Sequence, residues 1–197
     1  MNVEPVRLEG PTIHLVPLTP EHIEPLWPLA HPDLFQHTLE WPRNPSLEAF
    51  GDWIHQCLAT PSVLLYTIFL ATGEPVGATG YLDIRPLHRG LEIGRTWIAK
   101  THQGTQVNPE SKYLLLGHAF EDLEAARVQF KTDLNNLHSQ RAIEKLGAHR
   151  EGVLRRYQAR ANGYVRDTVM YSIIAEEWPE MKARLEARLG LASAPTA

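Results

Sequence analysis

A chain of 197 residues, 43% hydrophobic and 21% charged, has the make-up of an ordinary globular protein and length enough to bury a core, with one domain expected over 1–197. Its formal net charge of −4 argues against broad binding to nucleic acid or an anionic membrane, which wants a basic face. A lone cysteine, Cys57, excludes an intrachain disulfide, and ten histidines without HExxH or Cys/His spacing suggest no metal site. The start "MNVEPVRLEG" has no apolar h-region and no apolar run reaches membrane length, so a cytoplasmic protein is expected.

"TIHLVPL" (12–18) alternates and predicts a strand. "TPEHIEPLWPLA" (19–30) has helical spacing, which its prolines break into short pieces. "HPDLFQHTLEWPRNP" (31–45) predicts a structured loop. "SLEAFGDWIHQCLA" (46–59) has a Ser cap and places Phe50, Trp53, Ile54, Cys57 and Leu58 on one helical face, which favours a buried structural thiol over a nucleophile at Cys57.

The period then changes. "VLLYTIFLA" (63–71) and "VGATGYLDIRP" (76–86), joined by "TGEP", predict a hairpin, and "LEIGRTWIAK" (91–100) a third strand. The polar loop "THQGTQV" follows. Asn108 is expected as N-cap and Pro109 as first helical residue of a helix running to about Leu123. "RVQFKTD" (127–133) predicts a strand. "NLHSQRAIEKLG" (136–147) predicts a helix that Gly147 stops. "REGVLRRYQA" (150–159) and "YVRDTVMYSII" (164–174) flank the Asn-Gly turn of a hairpin, and 176–189 predicts a last helix. The order predicts an α/β (α+β) fold: a single mixed, mostly antiparallel sheet, a central strand–helix–strand crossover, and helices on both faces.

The loop at 101–108 leads from a strand end into a helix N-terminus, where free N–H groups and the helix dipole favour an anion. Gly104 would let backbone approach a ligand closely. From the loop alone, a phosphate site and a well-capped connection that binds nothing are equally consistent. It is not a Walker loop, having no Gly-Lys-Ser/Thr.

Taken with "LEIGRTWI" before it, "DLNNLHSQRAIEKLGAHREGVLRR" after it and "NGYVRDTVMYSI" near the end, the loop resembles the GNAT superfamily of acyl-CoA-dependent N-acetyltransferases. The likeness is to the Rim-type branch that acetylates protein N-termini, and to its small-molecule relatives, over about 7–175. The family loop reads Gln/Arg-x-x-Gly-x-Gly/Ala, then Thr-Glu-Ala in that branch. Gln103 and Glu110 match; Gln106 stands at the central glycine, Asn108 at the second small residue, and Pro109 and Ser111 replace Thr and Ala.

The resemblance implies an enzyme that moves an acetyl group from acetyl-CoA to a primary amine, a protein N-terminus or a small molecule. The amine attacks directly, with no enzyme nucleophile. Backbone at Trp97, Ile98 and Ala99 is the implied edge for the cofactor arm and oxyanion, where the strand splays from "RVQFKTD". Amides of Gly104, Thr105, Gln106, Val107 and Asn108, with Gln103, would hold the pyrophosphate. Asn136 is implied in cofactor contact and Ser139 on the thiolate side; both also suit a helix N-terminus. Arg141 would meet a cofactor phosphate or simply face solvent. For the base, Glu92 is the first candidate, because period-two alternation puts it on one face with Gly94 and Thr96. An edge carboxylate or ion pair is the structural alternative. Phe35, His37, Trp41, Tyr157 and Gln158 are expected around the acceptor, or else in core packing. A non-catalytic acyl-CoA-binding or regulatory module on the same fold is the alternative function, motivated by Gln106. Acyl-CoA and an amine are the expected partners, with no nucleic acid or membrane, for a monomer or homodimer.

Overall fold

The structure is a computed structural model, which describes residues 1–39, 42, 44–160 and 162–191. Eight strands form one sheet: β1 (Leu8–Glu9), β2 (Ile13–Pro17), β3 (Leu64–Leu70), β4 (Pro75–Arg85), β5 (Gly90–Ile98), β6 (Arg127–Asp133), β7 (His149–Ala159) and β8 (Val165–Ile174). Their order is β1-β2-β3-β4-β5-β6-β8-β7. Neighbours are antiparallel except β5 and β6, which run parallel. A parallel pair needs a crossover, and α3 (Val107–Gly117), extended by a π-helical turn at His118–Asp122, supplies it. The other α-helices among the described residues are α1 (Ile23–Leu26), α2 (Leu47–Leu58), α4 (Leu137–Glu144) and α5 (Trp178–Leu189).

Each face of the sheet carries a core. On one face Leu15, Tyr66, Tyr81, Leu91, Val128 and Tyr171 pack with Leu115 and Leu116 of α3, Ile143 of α4 and Leu185 of α5. On the other, Leu65, Ala78 and Trp97 pack under Leu26 of α1 and Phe50, Trp53 and Ile54 of α2. Strands buried on both faces read as near-continuous apolar runs, which is why "LLYTIFL" does not alternate polar and apolar. Cys57 lies in the second core, as its helical face predicts.

Helix α3 begins earlier than its sequence suggests. Gln106, not Asn108, is the cap residue, and its carbonyl accepts from Glu110 N–H at 2.9 Å. The Thr105 hydroxyl takes the Val107 N–H at 3.3 Å, and the Val107 side chain is buried in the first core, so the turn closes there. Pro109 thus becomes the third helical residue, still within the turn whose N–H groups lack helical partners. The Asn136 cap is present, with Ser139 N–H donating to Asn136 Oδ1 at 3.0 Å. That helix ends at Glu144, and Gly147 takes a φ of +92° just beyond.

Strand β5 departs from simple alternation. Gly80 pairs with Gly94 and Ala78 with Trp97, so Arg95 and Thr96 together oppose Thr79. Arg95 adopts a left-handed φ of +49° to make this bulge. The extra residue flips the faces beyond it: Trp97 enters the second core and Ile98 the first. Thr96 therefore does not share a face with Glu92 and Gly94, contrary to the unbroken period; it turns toward α3.

Candidate active site

Strands β5 and β6 pair over three positions, Gly90 with Arg127, Leu91 with Val128 and Glu92 with Gln129. Pairing then stops, although β5 continues to Ile98 and β6 to Asp133. Each strand stays tied to its outer neighbour: Ile98 pairs with Gly77 of β4, and Asp133 with Thr168 of β8. The result is an opening with Glu92 at its vertex. Since the two strands are parallel, their C-terminal ends flank it together, and each feeds a helix N-terminus, α3 and α4. Crevices beyond the carboxyl ends of parallel strands are where open α/β sheets bind ligands.

On the β5 side, Ala99 N–H is bonded to Val76 O at 2.8 Å. Backbone groups alternate along a strand, so Trp97 shares that direction and Ile98 N–H faces the opening. Ile98 O accepts from Gln103 Nε2 at 3.1 Å, and Thr105 Oγ1 donates to His102 O at 2.7 Å. These two bonds shape the loop. Gly104 has a φ of +75°, and a Cβ there would meet nothing within 4 Å. Among the described residues the N–H groups of Gly104, Thr105 and Gln106 have no acceptor in the chain. Gln106, the residue in the glycine place, directs its side-chain amide to Arg188 O of α5 at 3.2 Å. The Val107 side chain is core, so it can offer only backbone. Asn108 Oδ1 is buried and has no partner among the described residues.

At the vertex, the Glu92 carboxylate is buried and 2.6 Å from Lys131 Nζ. Burial pushes its pKa up, and the Lys131 ammonium opposes that rise. Gln129 Nε2 donates to Asp83 Oδ2 at 3.0 Å and lies 3.5 Å from Glu92 Oε2. Lys131 Nζ is also 5.9 Å from the centre of the exposed Tyr157 ring.

On the β6 side, the Ser139 hydroxyl is half-buried in the first turn of α4 and unpartnered among the described residues. Arg141 is exposed on the same helix. A polar hub closes the far wall. Arg160 pairs with the fully buried Asp133 and donates to Gln36 O at 2.7 Å. Arg160 Nη2 lies 3.1 Å from His37 Nδ1. Arg166 donates to Gln158 Oε1 at 2.9 Å and to His37 O at 3.4 Å. Burial, and then the Arg160 charge, lower the His37 pKa; the Arg160 guanidinium can only donate, so His37 Nδ1 is the acceptor in their contact. His37 and Gln158 are thereby brought together, beside Tyr157. Phe35 is instead core: it is 3% exposed, with its ring 5.4 Å from that of Trp97. Trp41 lies outside the described residues.

Sequence reasoning missed Lys131, the Asp133–Arg160–Arg166 hub and Lys112. Lys112 is 6% exposed, with Nζ 2.6 Å from Thr96 Oγ1 and 3.0 Å from Thr79 Oγ1. Its position three and four residues before Leu115 and Leu116, on the apolar face of α3, was the available signal. The hub had none, because its members are distant in the chain.

Residues 12–149 match the model of the acetyltransferase (GNAT) domain. The crystal structure of a "putative acetyltransferase" from T. thermophilus has 43% identity and a TM-score of 0.90, covering 96% of this chain and 100% of its own. Mycobacterium smegmatis RimJ in complex with CoA-disulfide has a TM-score of 0.79 at 21% identity, covering 96% of this chain and 97% of its own, a likeness of fold. The Bacillus subtilis (strain 168) protein "Putative ribosomal N-acetyltransferase YdaF" is 32% identical over 109 residues, 55% of this chain. The chain spans 58% of the length of that curated relative. Among the described residues, no helix is long and apolar enough to cross a membrane.

Proposed function

Because the chain belongs to the GNAT acetyltransferase family, whose members transfer acyl groups from acyl-CoA, we propose that it moves an acetyl group from acetyl-CoA to a primary amine. The acceptor is a protein N-terminus or a small-molecule amine, and transfer is direct within a ternary complex. The observation that carries this is the opening between β5 and β6, flanked by two helix N-termini with unpartnered N–H groups at Gly104, Thr105 and Gln106. Those amides suit a pyrophosphate, and none needs a glycine to donate. Gln106 is compatible with this role because its side chain is held against α5.

In this proposal the acetyl-CoA arm lies in the opening, and Ile98 N–H donates to the thioester oxygen as it gains charge. The amine nitrogen attacks the carbonyl carbon, the C–S bond breaks, and CoA leaves as a thiolate. Glu92 takes the proton the amine loses. Its raised pKa favours taking up a proton, and Lys131, already seated on it, marks a place that accommodates an ammonium. The free Ser139 hydroxyl hydrogen-bonds the departing sulfur, while Asn136 fixes the turn that carries it. Tyr157, His37 and Gln158 border the acceptor.

The test is release of CoA thiol from acetyl-CoA over a panel of N-terminal peptides and small amines, with cofactor affinity measured in parallel. Turnover on one class is expected, with Ser139→Ala lowering kcat more than affinity. Tight acetyl-CoA binding without turnover on any amine would instead establish the non-catalytic binding module.

A further inference from the structure

The buried lysine of α3 lies where the opening begins. Lys112 Nζ, Thr79 Oγ1 and Thr96 Oγ1 form a closed triangle, with Nζ to Thr96 at 2.6 Å, Nζ to Thr79 at 3.0 Å and the two hydroxyls 2.8 Å apart. Thr79 is fully buried on β4, whereas Thr96 is exposed on β5, beyond the last residue paired with β6. Among the described residues no carboxylate completes the group, and burial is what desolvates the lysine.

Donor and acceptor counting fixes the direction of these bonds. Below its pKa of about 7 Lys112 is an ammonium, which has three donors and no acceptor, so Thr79 cannot donate to it. A buried hydroxyl needs an acceptor, and among the described residues Thr79 has one left, Thr96 Oγ1. Thr96 Oγ1 therefore accepts from both Lys112 and Thr79, and its own proton must point elsewhere. Among the described residues its remaining acceptor is Gly94 O, at 3.5 Å, well beyond the roughly 2.5–3.0 Å of an O–H···O bond. The Arg95–Thr96 bulge is what turns this residue to the α3 side. In an unbroken strand its hydroxyl would face away from Lys112.

We propose that Thr96 is a ligand-binding residue whose hydroxyl donates a hydrogen bond to a carbonyl oxygen of the acyl-CoA arm, and that Lys112 is the positioning residue that aims it. This rests on the acyl-CoA reading of the opening. The backbone edge at Ile98 and this hydroxyl then hold the arm from two successive turns of one bulged strand.

The experiment is calorimetric titration of acetyl-CoA at about pH 6, where Lys112 is charged, into the wild-type chain, Thr96→Val, Thr96→Ser, Lys112→Met and the Thr96→Val/Lys112→Met double variant, each checked for folding by circular dichroism. Thr96→Val should weaken binding about fivefold to tenfold, the worth of one hydrogen bond, and Thr96→Ser should restore it. Lys112→Met should weaken binding comparably, and the double variant should be no weaker than Thr96→Val, since both remove one interaction. Wild-type affinity in Thr96→Val, loss in Thr96→Ser equal to that in Thr96→Val, or additive losses in the double variant would overturn the proposal. Should Lys112→Met not fold, the Thr96→Val and Thr96→Ser pair decides. If the wild-type chain itself does not bind acetyl-CoA, the acyl-CoA reading fails and takes this one with it; if it binds and Thr96→Val binds equally, this inference alone fails.

Discussion

Replacing Lys112 with Met should change not only stability but its dependence on pH. Burial lowers the Lys112 pKa from 10.5 to about 7, because an ammonium held by two hydroxyls recovers little of its hydration. At about 1.4 kcal/mol per pH unit, that drop is a cost to the folded state of about 5 kcal/mol when the lysine is charged. Between pH 7 and 10.5 the unfolded chain binds more protons than the folded chain, so stability rises with pH there. Between about pH 7 and pH 9 this one group should add about 2 kcal/mol. Lys112→Met cannot titrate and should lack that increment. Urea unfolding of both proteins at about pH 7 and pH 9 isolates it, since other groups titrate alike in the two chains. The stability of Lys112→Met relative to wild type should fall by about 2 kcal/mol across that interval. An offset of the same size at both pH values would refute the reasoning, because it would mean that the native lysine keeps an ordinary pKa.

Three other substitutions probe the frame and the site. Glu110→Ala removes a buried carboxylate that accepts from Thr12 N–H at 2.8 Å and Ile13 N–H at 3.0 Å, so chemical unfolding should show a loss of about 2–6 kcal/mol. Gly77→Ala puts a Cβ 2.2 Å from Trp97 O; β5 must move, and both stability, by about 3 kcal/mol, and acetyl-CoA affinity should fall. An unchanged melting curve in either variant contradicts the packing described. Glu92→Gln should lower turnover by about 100-fold in a protein that still folds. The wild-type rate should rise with pH through a pKa above that of an ordinary glutamate, and the variant should lose that limb. An identical pH profile would remove Glu92 from proton transfer.

Local chemistry explains how much of the fold was readable in advance. Seven of the eight strands announced themselves by β-branched and aromatic runs, with limits within two residues of the expected ones, whereas the two-residue β1 (Leu8–Glu9) carries no such run and was not expected. Ser46 and Asn136 acted as caps because a cap needs only its own next turn. The same logic misplaced the start of α3, where Thr105 and the burial of Val107 outweighed Asn108. Face assignments held until Arg95, because one residue in the left-handed region reverses every side chain beyond it.

The sequence by itself determined the alternation of strands and helices, the crossover, and the polar loop that ends in a helix, since all of these follow from periodicity and turn chemistry. Only the tertiary structure decided the chemistry of the opening. It put Lys131 on Glu92, gathered Asp133, Arg160, Arg166 and His37 into one wall, sent Phe35 into the core and carried Lys112 beneath Thr96. These partners are remote in the chain and are joined by strand pairing, a bulge and burial. Charge and hydrogen-bond direction depend on such neighbours, and no local pattern of residues encodes them.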